Sequence, residues 1–349
     1  AAEPPRQELL RRLNRADGDT ASIVQMRARL IDRLRHDRSL KAVDADFQHL
    51  LSSWFNPGFL KLVQVDWSSP AALLERIIQH EAVHEIDGWN DLRRRLEPDR
   101  RCFAFFHPVL PDEPLIFVEI ALVPQMPGAI APLLERGLPA PADPSGFKVA
   151  TFYSISNCQP GLRGINLGNF LIKQVAERLQ REVPTLRSFC TLSPIPGFAG
   201  WLAKVDSETL IAPRMRTASR RALQDALEGL RRRHGADLAG MVHAGSPGGG
   251  DAPADEAADL QALSSLCAFY LVHRTATDAP DADPVGRFHL NNGARLQRIN
   301  PAGDLSRKGW RQSFGMMVNY LYDLDEIEAN HEKFTHGEVS ASRAVISLM

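Results

Sequence analysis

Three short segments carry residue types that could do chemistry. In Phe189-Cys190-Thr191-Leu192-Ser193-Pro194-Ile195-Pro196-Gly197-Phe198, the two prolines around Ile195 force an extended path and exclude a helix. Ser193 is therefore expected at a strand end. A hydroxyl there is ordinarily a cap, and it gains a chemical role only with an acid or base beside it. In Phe288-His289-Leu290-Asn291-Asn292-Gly293-Ala294-Arg295-Leu296, alternation predicts a strand with His289, Asn291 and Gly293 on one face and Phe288 and Leu290 on the other. A histidine among apolar neighbours is most often a hydrogen-bonded core residue. Its unperturbed pKa of about 6.5 nevertheless suits proton transfer near neutrality. The third segment, Gln159 to Gly168, is a glycine-bearing loop between a predicted strand and a predicted helix. Glycines let backbone N–H groups approach phosphate oxygens at a helix start, and Arg163 could add a charged contact. The strand-loop-helix context favours that reading over a plain tight turn.

His80-Glu81-Ala82-Val83-His84 fits the His-Glu-x-x-His zinc spacing, which on a helix puts both imidazoles on one face. No third ligand follows downstream, so the spacing is read as accidental and no metal is expected. The runs Arg93-Arg94-Arg95 and Arg231-Arg232-Arg233 read as solvated helix faces. They lack interleaved aromatics, so nucleic acid is not expected as a partner.

These segments need a scaffold, and periodicity supplies one. Glu8 to Ser53 reads as helices, with Ile23, Met26, Leu30, Leu34, Phe47, Leu50 and Leu51 at helical spacing. After Asn56-Pro57-Gly58 the expected order begins with a strand at Phe59–Trp67 and helices at Ala71–His80 and Trp89–Leu96. Strands follow at Cys102–His107, Leu115–Val123 and Val149–Ser156, then a helix at Asn169–Glu182 and a strand at Leu186–Leu192. Helices at Arg216–Arg233 and Leu260–His273 and strands at Arg287–Ile299 and Gly315–Leu324 complete it. Ser246 to Asp259, rich in Gly, Pro and Ala, is expected to be a flexible insertion. The fold class is α+β, and the boundaries are a helical domain at 1–56 and a second domain at 57–349. This order matches the acetyltransferase-like (GNAT) mixed sheet, although a fold alone does not establish a reaction.

With 349 residues, 44% hydrophobic and 24% charged, and a net charge of -1, the chain has the composition of an ordinary globular protein. It has no global attraction to polyanions. No apolar run reaches the roughly 20 residues that span a bilayer, and no secretory signal opens the chain. Ala1 in place of Met points to a trimmed precursor. Cys102, Cys158, Cys190 and Cys267 form no CxxC pair and are expected to be reduced thiols. The ending Ser347-Leu348-Met349 is not the Ser-Lys-Leu peroxisomal address, and a cytoplasmic location is the default.

The blocks HEAVHEIDGWNDLRRRL, RRCFAFFHPVLPDEPLIFVEIALV, ATFYSISNCQPGLRGINLGNFLIKQV, FCTLSPIPGFAGWL and FHLNNGARLQRIN resemble, in order, the signature segments of malonyl-CoA decarboxylases. The resemblance runs from about Trp54 to Tyr322 and implies a helical domain before an acetyltransferase-like catalytic domain. It implies a lyase acting on malonyl-CoA without a cofactor, and a homo-oligomer (dimer or tetramer). Carried over by position, it implies Ser193 and His289 as the catalytic pair. It further implies Arg163, Gly164, Ile165, Asn166, Leu167, Gly168 and Asn169 as the coenzyme loop, and Tyr322 in the surroundings of the substrate. Some relatives carry Glu where this chain has Asn166, which leaves only hydrogen bonding there. In the decarboxylase block an aromatic usually occupies the His80 position. An acetyltransferase needing an amine acceptor, and a non-catalytic sensor of malonyl-CoA, are the alternatives on the same fold.

Overall fold

The computed structural model describes residues 4–15, 19–135, 144–165, 167, 171–212, 215–236, 238, 241, 253–276 and 281–349. They form two compact units, Ala1–Ile120 with Ser154–Leu171, and Ala121–Tyr153 with Ile172–Met349. Helix and strand are mixed in the α+β manner. Among the described residues no helix is long and apolar enough to cross a membrane.

The first unit begins with helices α1 (Pro5–Leu13), α2 (Asp19–Leu34) and α3 (Lys41–Trp54). They bury Ile23 and Val24 on α2 and Phe47, Leu50 and Leu51 on α3. Arg27 is buried with them. Its Nε donates to Asp44 at 2.9 Å and its Nη1 to the carbonyl of Gly161 at 2.6 Å. A guanidinium taken out of water needs such partners. Helix α2 thus backs the start of the Gly161–Gly164 loop. A Cβ at Gly161 would run into the carbonyl of Val24, so Gly161→Ala should cost about 1–3 kcal/mol of stability. Chemical denaturation checks this, and an unchanged midpoint would show that α2 yields freely.

Strand β1 (Lys61–Val65) pairs antiparallel with β2 (Arg100–Phe106). The strand order continues to β3 (Ile116–Val123) and β4 (Val149–Asn157), of which residues 116–120 and 154–157 belong to this unit. Helices α4 (Ala71–His80) and α5 (Gly88–Arg95) cover a core of Val65, Leu74, Ile77, Ile86, Leu92 and Phe117. Helix α4 stops at His80, and Glu81 is extended with φ -64 and ψ 109. His80 and His84 therefore do not share a helix face, contrary to the spacing rule. The Glu81 carboxylate accepts from Ser154 Oγ at 2.7 and 2.8 Å, from Ser156 Oγ at 3.1 Å, and from the N–H groups of Val83 and His84 at 2.8 Å. Among the described residues no group of three or more His, Cys, Asp or Glu could hold a metal ion.

The second unit holds α6 (Ala131–Leu134), α7 (Leu171–Glu182), β5 (Ser188–Thr191), β6 (Ser193–Pro194), α8 (Phe198–Leu202), α9 (Thr217–His234), α10 (Pro253–Phe269), α11 (Pro284–Asn291), β7 (Arg295–Asn300) and β8 (Met317–Tyr322). Here β4 and β5 run parallel, in register from Val149↔Ser188 to Phe152↔Thr191. Strand β8 pairs antiparallel with β5, β6 and β7. Two expectations are corrected. The segment from Arg287 is helical as far as Asn291, because Asp283 caps α11 through the N–H of Gly286 and Pro284 occupies its first turn. The strand begins only at Arg295. Of the expected insertion 246–259, residues 246–252 lie outside the described residues. Residues 253–259 open α10, since Ala and Glu are good helix formers once Pro253 has started the turn.

Candidate active site

Strand β8 organises the site. Successive side chains of a strand alternate between faces, so Val318, Tyr320 and Tyr322 point one way. Val318 lies opposite Ser193 in the register. Tyr320 stacks on the imidazole of His289, with centroids 4.7 Å apart and planes 27° apart. The hydroxyl of Tyr322 is 2.8 Å from His289 Nδ1. Ser193 reaches the other end of the ring, its Oγ 3.0 Å from His289 Nε2. Cys190 and Ser193 keep one register against β8, opposite Leu321 and Val318. Helix α11 delivers His289 from its last turn. Asn292-Gly293 ends that helix, Gly293 taking φ +80 because Ile327 leaves no room for a side chain.

The hydrogens of this chain can be assigned. Ser193 has one hydroxyl proton, and Oγ donates it to Thr191 Oγ1 at 2.9 Å. The Ser193–His289 contact must then be Nε2–H donating to Oγ. Nδ1 is left bare and accepts the hydroxyl of Tyr322. This polarity is opposite to that of a nucleophilic serine, whose proton would have to point at the histidine. Ser193, His289 and Tyr322 are all buried. Burial pushes His289 down to about 3, so the imidazole is neutral, and pushes the Tyr322 hydroxyl up. Tyr320 is fully buried, and its hydroxyl has no hydrogen-bond partner among the described residues.

Two residues that sequence reading passed over hold this arrangement. Asn319, on the opposite face of β8, donates to the carbonyls of Thr191 at 2.7 Å and Pro127 at 3.1 Å. It also accepts from Arg298 and Asn300, which ties β7 and β8 to the residue two before Ser193. Asp283, the cap of α11, also accepts the N–H of Gly197 at 3.0 Å. The Asp283-Pro284 pair was the available signal, a cap followed by proline at the first helical position.

The glycine loop lies in the first unit. Arg163 and Gly164 are exposed, Ile165 and Leu167 are buried, and Gly164 has φ +78 with open space where a side chain would stand. The Arg163 side chain has no partner among the described residues. Asn166, Gly168 and Asn169 lie outside the described residues. The four cysteines are free and buried, and burial pushes Cys190 up to about 11.

Comparisons agree along the whole length. The model of the malonyl-CoA decarboxylase N-terminal domain matches residues 1–55, and that of the malonyl-CoA decarboxylase C-terminal domain matches residues 58–349. A mitochondrial malonyl-CoA decarboxylase of the goose Anser anser anser is 35% identical, across 99% of this chain and 69% of that protein. The crystal structure of malonyl-CoA decarboxylase from Rhodopseudomonas palustris superposes with a TM-score of 0.85 at 47% identity, covering 99% of this chain and 80% of that one. The corresponding structure from Agrobacterium vitis gives 0.80 at 49% identity, with the same coverage. The chain belongs to the malonyl-CoA decarboxylase family.

Proposed function

We propose that the chain converts malonyl-CoA to acetyl-CoA and CO2 with Ser193 and His289 as the groups that hold the carboxylate and return the proton. The buried Ser193–His289–Tyr322 chain, with a ring N–H aimed at the serine, is the observation that carries this reading. Breaking the bond to the carboxylate sends its electron pair into the thioester, which becomes an enolate while CO2 departs. The enolate carbon then takes one proton. His289 is neutral in the empty site, but an arriving carboxylate is an opposite charge for the protonated ring and raises its pKa. The imidazolium so formed gives its proton to the enolate and regains one from solvent. Tyr322 and Tyr320 hold the ring, and Ser193 keeps the carboxylate out of the thioester plane. No acyl-serine forms, because the coenzyme stays on the product, and the steps use no metal or redox cofactor.

The coenzyme's phosphates are assigned to Arg163–Asn169. Arg163, without a side-chain partner among the described residues, and the open space at Gly164 support this. The parallel β4–β5 pair, which ends at Phe152 and Thr191 while β4 runs on to Asn157, supports an acetyltransferase-like sheet. Exposed Leu9, Leu13 and Met26 on the 1–56 helices fit self-association. Four free buried thiols fit a reducing compartment, and we assign the chain to the cytoplasm.

Metal-stripped protein given malonyl-CoA alone should form acetyl-CoA and CO2 in equal amounts. In D2O the new methyl group should carry one deuterium. Release of malonate and free CoA instead would mark a hydrolase and overturn the reading. Tight binding without turnover would favour a sensor.

A further inference from the structure

We propose that Asp283 is the positioning residue of the Ser193–His289 pair, a buried carboxylate that ties the turn leaving Ser193 to the helix carrying His289, and that the pair loses its register when this carboxylate takes a proton. The inference rests on the decarboxylase reading above.

The geometry divides the two oxygens between two segments. Oδ1 accepts the N–H of Gly286 at 2.7 Å, one turn before His289. Oδ2 accepts the N–H of Gly197 at 3.0 Å, four residues after Ser193. Both donors are glycines with little room to spare. A Cβ at Gly197 would meet the Tyr270 hydroxyl, and one at Gly286 would lie 3.0 Å from the Tyr320 hydroxyl and from Thr275 Cγ2. Tyr320 is the ring on which His289 stacks, so a shift at Gly286 reaches the imidazole by packing as well as by the helix. Pro196, Gly197 and Pro284 line a cavity of about 750 Å³, so the Asp283 tie also sets the spacing of two segments of its wall.

Asp283 is fully buried. The titratable groups around it are Tyr270 and Cys267 from α10 and its continuation, and Tyr320 from β8. Asp281 is taken up by Arg274 at 3.1 Å, and among the described residues no cation pairs with Asp283. Burial therefore pushes its carboxyl up to about 6, against the pull of the backbone donors. A protonated carboxyl would turn a hydroxyl toward one of two N–H groups that need an acceptor. The sign for stability is opposite. The folded value lies above the ordinary 3.8, so this group's contribution to stability rises as pH falls through 6 toward 4. Activity should fall in that window without unfolding, and His289 cannot supply the limb, because a group that acts as the acid loses activity as pH rises and not as it falls.

The test is kcat at saturating malonyl-CoA from pH 5 to 8 for the parent and for Asp283→Asn, with thermal unfolding alongside. The amide keeps the shape but can accept at only one end. The parent should lose activity below pH 6 while remaining folded. Asp283→Asn should lose about tenfold or more in kcat at pH 7.5, a size typical of a misplaced catalytic group. Its KM should change little, and its profile should have no limb near 6. A parent profile flat from pH 5 to 8 overturns the proposal, and so does a variant that keeps the limb. A parent that does not decarboxylate would instead overturn the functional reading itself.

Discussion

Replacing His289 with Ala should lower kcat for malonyl-CoA by about 100- to 10,000-fold, the usual contribution of a placed general acid. The imidazole joins Ser193 Oγ at 3.0 Å and the Tyr322 hydroxyl at 2.8 Å, and neither hydroxyl is as acidic as an imidazolium. KM should rise far less than kcat falls, because on the proposed reading the coenzyme's phosphates are held by Arg163–Asn169 and not by His289. Folding should survive, since a neutral ring is removed and no buried charge is left behind, and circular dichroism checks that. Ser193→Ala, assayed beside it, should be impaired but less so, as it removes a contact to the carboxylate and leaves the acid. Turnover by His289→Ala within threefold of the parent would remove His289 from the mechanism.

The other large effect lies in the first unit. Arg95 is buried, donating to Glu119 Oε2 at 2.7 Å, to Asp91 at 3.4 Å and to the carbonyl of His84 at 3.0 Å. Arg95→Met should cost about 3–5 kcal/mol, the usual penalty for breaking a buried ion pair by taking one partner. Glu119 Oε2 would lose its guanidinium donor, while Asp91 would still accept the N–H of Asp87 at 3.0 Å. Glu119 itself is fully buried, and burial pushes it up to about 8 against the attraction of Arg95. Its folded value exceeds the ordinary 4.5, so its contribution to stability is complete below about 4.5 and declines as pH rises through 8. Glu119→Gln should flatten that slope. Urea unfolding at several pH values measures both effects, and a loss under 1 kcal/mol for Arg95→Met would show that the pair is dispensable.

Much of this was legible in residue types. Helix α4 was expected at Ala71–His80 and lies there, because Pro70 starts it and its apolar positions repeat at helical spacing. The extended path through Ser193 was legible because proline limits the backbone so strongly, and Ser193-Pro194 is strand. The segment around His289 was misread because Phe-His-Leu-Asn alternates like a strand over four residues, while the start signal at Asp283-Pro284 lay outside the window. Arg27 was hidden for another reason. Periodicity assigns an arginine to solvent, and Met26 to the core, yet Met26 is exposed and Arg27 is buried. Its partners are a carboxylate on α3 and a carbonyl 134 residues away, and no local pattern reports a contact of that length.

The grip of Arg27 on Gly161 has a consequence for how the chain is made. The first unit is discontinuous, and its closing segment, Ser154–Leu171, leaves the ribosome long after α2 has formed. Until then Arg27 has Asp44 on α3 but not the Gly161 carbonyl. Closing so wide a loop is costly in entropy and slow. The nascent chain therefore passes through a stage in which its first helices are exposed to proteases and to other chains. Residues 121–153 must be synthesised within that stage, so the two units cannot be completed one after the other along the sequence.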